Sequence, residues 1–103
     1  MQFLTLVAGL VLLTAGGGAF ADSRAAEEKA RTLCAGCHGP AGISTNPLWP
    51  NLAGQKNLYL EKSLRDYKAG QRGDPNMVAL AQTLSDEEIV DLAAYYAALS
   101  PGG

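Results

Sequence analysis

The sequence predicts an all-α domain of three main helices, one short helix and long ordered loops. Three observations carry that expectation. No stretch alternates apolar and polar residues at period two, so a half-buried strand has no template. Apolar residues instead recur at helical spacing in separate segments, most clearly Ile89, Leu92, Ala93, Tyr96 and Leu99. Glycine, proline and asparagine gather over residues 39–54 and 70–76, which read as loop.

The elements follow in order. Residues 23–35 read as the first helix, with Ser23 as N-cap and Glu27 and Glu28 near the positive end of its dipole. Ala26, Ala30 and Leu33 share a face, and small residues four apart let another helix approach closely; the alanines serve equally as plain helix formers. Residues 55–69 form the second helix, where Leu60, Leu64 and Tyr67 recur at helical spacing and Gly70 closes the end. Asp74-Pro75 opens a short helix expected to carry Met77, Leu80, Ala81 and Leu84. Ser85-Asp86-Glu87-Glu88 is a capping box that starts the last helix, and Pro101-Gly102 stops it. Such long loops are unusual in a bundle of this size and make sense if they wrap a flat cofactor.

The amino-terminal end sets the context. Met1–Ala15 is an apolar run, three glycines follow, and Ala19-Phe20-Ala21 fits a small-x-small cleavage site. Residues 1–21 therefore read as a secretory signal peptide and 22–103 as the working domain. Its leading segment lacks the usual Lys or Arg. The alternative is an uncleaved anchor, although Phe3–Phe20 sits at the lower edge of a membrane span and its glycines weaken it as a helix. The chain has 8 Lys and Arg against 10 Asp and Glu, a net charge of −2 that argues against nucleic acid as a partner. A domain this small has a thin apolar core and usually needs a staple.

Cys34-Ala35-Gly36-Cys37-His38 supplies one. The pattern C-x-x-C-H is the attachment site of a c-type haem. Two thiols on one helical turn each add to a vinyl group of the haem edge, and the adjacent histidine is carried under the iron. Those are the chain's 2 cysteines and its 1 histidine. Competing readings fit less well. A thioredoxin-like dithiol needs a βαβ context, a zinc site needs four ligands, and a disulfide would close only a tiny loop. A low-spin haem that carries electrons needs a sixth ligand, and the candidate is Met77, the sole methionine outside the leader. A lone methionine in a helix is otherwise most often a core filler.

These residues, with Pro50-Asn51-Leu52-Ala53-Gly54-Gln55, Tyr67-Lys68-Ala69-Gly70-Gln71-Arg72 and Leu84-Ser85-Asp86-Glu87-Glu88-Ile89 before Leu92-Ala93-Ala94-Tyr95-Tyr96, resemble the small soluble class I bacterial c-type cytochromes. The chain is most similar to a single-haem half of the cytochromes of the c-four type, over about residues 25–99. The resemblance implies the cytochrome c fold wrapped around one covalently bound haem c, held by Cys34 and Cys37 and ligated by His38 and Met77. It implies that the Pro50 carbonyl accepts the proton of the proximal histidine. Trp49 and Leu52 would line the pocket, with Trp49 either donating to a haem propionate or filling the core. Arg72 would pair with a propionate. Tyr95 would cross onto the first helix at Ala26 and Ala30, leaving Tyr96 to point inward. An apolar cavity is expected between Cys34, His38, Leu52 and Met77.

The function so implied is that of a periplasmic electron carrier, not an enzyme, with transient redox protein partners and contact with membranes only through partner complexes. The alternatives are a permanent cytochrome subunit of a dehydrogenase or oxidase, and a haem peroxidase or gas sensor with an open sixth site. Lys56, Lys62, Arg65, Lys68 and Arg72 crowd one segment and Asp86–Asp91 is acidic, so a dipolar surface that steers docking is expected.

Overall fold

The computed structural model describes residues 2–3, 5, 7–10 and 18–102, without the side chains of 18–22. Of the expected leader, 1–21, residues 1, 4, 6 and 11–17 lie outside these residues. Among the described residues there is no strand, and no helix is long and apolar enough to cross a membrane.

The first helical element is a composite. Helix α1 (Gly18–Lys29) runs into a π-helical turn (Ala30–Cys34) and then α2 (Ala35–His38), with right-handed helical backbone at Lys29, Cys34 and Ala35. It begins earlier than the sequence predicts, so Ser23 lies inside the helix and is not its cap. The alanines of residues 18–22 continue the helix and no proline interrupts it. It also ends later, at His38, because Gly39 turns out of the helix at φ +85. A Cβ at Gly39 would fall 1.9 Å from the Ile43 carbonyl oxygen, so only glycine fits directly after the histidine.

Helix α3 (Asn57–Lys68) is two residues shorter at its start than predicted, since Lys56 is extended at ψ 130. Its end is a Schellman motif: the Gly70 N–H donates to Tyr67 O at 3.1 Å and the Gln71 N–H to Asp66 O at 2.8 Å. Helix α4 (Pro75–Gln82) starts on an Asp74 cap with proline in its first turn. Leu84 lies beyond it, a correction to the sequence reading. Ser85 must be extended (φ −74, ψ 164) to cap helix α5 (Asp86–Ala97), so the chain leaves α4 before that point. Leu84 is nonetheless 5 % exposed and belongs to the core.

Helix α5 is the hub, packing on α1 and α3, while α3 also packs on α4. Ala26, Ala30 and Ala93 are nearly fully buried, which lets α1 and α5 approach closely. Ile89 and Leu92 are the largest fully enclosed side chains, and Tyr95 packs at the edge of the cluster that contains Ala30. Lys29 and Glu88 close the same crossing with an ion pair at 2.6 Å.

Candidate cofactor site

His38 occupies the last turn of α2 and is 7 % exposed. Its Nδ1 lies 2.8 Å from the Pro50 carbonyl oxygen. A carbonyl only accepts, so the proton sits on Nδ1 and Nε2 keeps its lone pair for a Lewis acid. The loop that presents Pro50 is pinned in turn. Leu52 and Ala53 both donate their N–H to the Gly42 carbonyl, at 2.8 and 3.0 Å, and the Ser44 N–H donates to Asn51 Oδ1 at 2.7 Å. The Pro50 ring is exposed while its carbonyl faces the histidine.

The two thiols stand in different surroundings. Cys37 is exposed, whereas Cys34 is half-buried against the core cluster. Burial pushes the Cys34 thiol above its ordinary range. Met77 is the third residue of α4 and half-buried. Its N–H donates to the Asp74 carboxylate at 3.0 Å, so the cap fixes the turn that carries the thioether.

One cavity of 380 Å³ takes all of these. It is lined by Cys34, Cys37, His38, Trp49, Pro50, Leu52, Arg72 and Met77, so every residue expected at the cofactor borders the same space. Trp49 stands at its rim, 39 % exposed, and does not fill the core. Arg72 holds its guanidinium carbon 4.5 Å from the centre of the Tyr67 ring. Sequence reasoning saw Leu60, Leu64 and Tyr67 as the apolar face of a helix but not as a wall of the cavity, to which Tyr59 and Ser63 of α3 also contribute. Their i, i+4 spacing is the signal that was available. The π-turn before Cys34 had no counterpart in the sequence pattern.

The donor set suits one covalently held haem c: two thiols on a helical turn, an imidazole with a free Nε2, and a thioether from a separate helix, all around an apolar space. It does not suit a bare metal ion, since among the described residues no three His, Cys, Asp or Glu side chains group together.

The geometry agrees with the relatives of the chain. Residues 23–100 match the family model "Cytochrome c". A cytochrome c4 of Thiocapsa roseopersicina is 49% identical over 76 residues, covering 74% of this chain and 39% of that one. Cytochrome c-554(548) of Halomonas halodenitrificans is 49% identical over 78 residues, covering 73% of this chain and 93% of that one. Among solved structures, reduced recombinant cytochrome c4 from Pseudomonas stutzeri superposes with a TM-score of 0.70 at 33% identity, over 78% of this chain and 49% of that one. The chain thus spans about half or less of these two cytochrome c4 chains and nearly all of cytochrome c-554(548).

Proposed function

The chain belongs to the cytochrome c family, and we propose that it is a periplasmic single-haem electron carrier working between transient redox protein partners. The observation that carries this reading is the enclosure of a histidine with a free Nε2 and a methionine in one apolar cavity beside both thiols. Haem c, when bound, supplies a one-electron couple between ferric and ferrous iron.

The protein's own part is to hold that couple still. His38 through Nε2 and Met77 through its thioether sulfur would hold the iron. The Pro50 carbonyl orients the imidazole. The Asp74 cap holds the turn of Met77. Leu52, Leu60, Leu64 and Leu80 keep water from the cavity, which favours the less charged iron state. Trp49 and Arg72 stand at or near the exposed edge as candidate partners for the propionates, with Arg72 braced on the Tyr67 ring. Electrons then cross at a surface that binds partners weakly and briefly. With His38 and Met77 both holding the iron, no position would be left for a substrate, and the protein would do no bond-breaking chemistry.

Voltammetry with CO titration tests this. The expected result is one reversible one-electron wave and no CO uptake by the ferrous protein. Rapid CO uptake would mean an open sixth position and a peroxidase or sensor instead.

A further inference from the structure

The turn before the cysteines is wound differently from the helix on either side. The Ala35 N–H bonds back to the Ala30 carbonyl, a step of five residues in place of four. Such a turn takes up one extra residue, so everything after it stands about 100° further back around the axis than in a plain α-helix. Burial shows the effect. A plain helix would set Cys37 within about 20° of Ala26 and carry His38 about 120° away. The reverse is found: Ala26, Ala30 and His38 are 4, 3 and 7 % exposed, whereas Cys37 is exposed. Thr32 stands in the middle of the turn, on its solvent side. Its hydroxyl lies 3.0 Å from the Glu28 carbonyl oxygen and 3.2 Å from that of Lys29. A hydroxyl bonded back in this way competes with the backbone ladder and bends or opens it.

We infer that Thr32 is a positioning residue for His38, acting through this turn: its hydroxyl holds the widened step that rotates the histidine onto the buried side of the helix. The inference rests on the haem c reading. On the buried side His38 Nδ1 meets the Pro50 carbonyl oxygen at 2.8 Å, which leaves Nε2 for the iron. Wound as a plain helix, the same residues would turn Cys37 toward the core and His38 away from Pro50. Thr32 is no part of the cavity wall, so its effect on the site passes through the backbone. Its neighbours are fixed on both sides. Arg31 is exposed and pairs with Glu27 across the surface at 2.8 Å, while Leu33 and Cys34 pack against the core cluster. The extra residue is therefore confined to the turn, and removing one exposed residue there should let the helix run regularly with His38 still on its buried face.

The test compares Thr32→Val, which keeps the shape and removes the hydroxyl, with Thr32→Ser, which restores it. Both are secreted from cells competent for haem attachment. Nuclear magnetic resonance of the ferrous protein follows hydrogen exchange of the His38 Nδ1 proton and of the Ile89 and Leu92 amides. The expected result in Thr32→Val is several-fold faster exchange at His38 with the two core amides unchanged, and a return to the parental rate in Thr32→Ser. A parental rate at His38 in Thr32→Val overturns the inference. So does faster exchange that the core amides share, or that Thr32→Ser does not reverse, since Thr32 would then only stabilise the helix. A second pair of variants needs no hydroxyl argument. Deletion of Arg31 should keep the ferric far-red band, and an alanine inserted after Arg31 should lose it. The same outcome in both, kept or lost, overturns the inference. Failure of the haem reading is distinct: the parent itself would carry no covalent haem.

Discussion

A single carbonyl decides the state of the histidine. Pro50 acts through its backbone oxygen, and its ring only stiffens the loop that presents it. Pro50→Ala should therefore keep the histidine hydrogen bond and the redox potential, while losing about 0.4–1 kcal/mol of stability as the unfolded chain gains freedom. Thermal melts alongside potentiometry check this, and a large fall in potential would show that the ring itself matters. Met77→Ala should do the opposite. The ferric far-red band should vanish, the potential should fall, and CO should bind the ferrous form, with folding retained. At this scale the sequence was legible wherever a residue type is rare. The 2 cysteines, the 1 histidine and the methionine outside the leader left little choice. What it did not reveal was contact between common residues, such as Lys29 with Glu88 across α1 and α5, or Lys68 of α3 with the Leu84 carbonyl. Those pairings depend on how helices cross, and no local pattern encodes them.

Helix ends are where the elements serve the site. Asp74 caps α4 by accepting from the Asn76 and Met77 N–H groups at 2.9 and 3.0 Å. Asp74→Ala should cost about 1 kcal/mol. It should also lower the temperature at which the far-red band is lost by more than it lowers the loss of helical circular dichroism. Coincident losses would mean that the cap has no special hold on Met77. The capping box of α5 is tied to α1 through Glu88. The Lys29 ammonium, helped by the Ser85 N–H, holds the Glu88 carboxyl below its ordinary range. A folded-state pKa depressed in this way gives stability that is whole above the ordinary glutamate value of about 4.3 and is lost as pH falls through the lower folded value. Between about pH 6 and pH 3 the parent should thus lose more stability than Glu88→Gln, by less than about 1 kcal/mol because the pair is partly solvated. Identical acid melts would contradict it. Capping boxes and a Gly end signal are short-range and were legible. The π-turn was not, because one extra residue per turn leaves no mark on apolar spacing over so short a run.

For the whole molecule, charge is where folding changes the reading. The five cations between residues 56 and 72 suggested a strong dipole, but most are engaged locally. Lys62 meets Asp66 at 2.5 Å, and Arg65 meets both Glu61 and Asp86 at 3.1 Å. Lys68 donates to the Leu84 carbonyl and Arg72 lies on Tyr67, leaving Lys56 exposed to solvent. Electron-transfer rates should accordingly fall with salt by less than about tenfold, the bottom of the range for steered association. A steeper fall would show that the local pairs open on docking. The all-α architecture was legible because the helices carry apolar stripes and α4 and α5 their own caps. The shared cavity wall arises from tertiary packing and was not. The central claim is that Cys34, Cys37, His38 and Met77 surround one covalent, six-coordinate haem. It is tested most directly by the visible spectrum of the secreted protein after acid–acetone extraction. The account predicts colour that stays with the polypeptide and a weak far-red band in the ferric form. Colour that extracts into the solvent, or a covalent haem without that band, would contradict it.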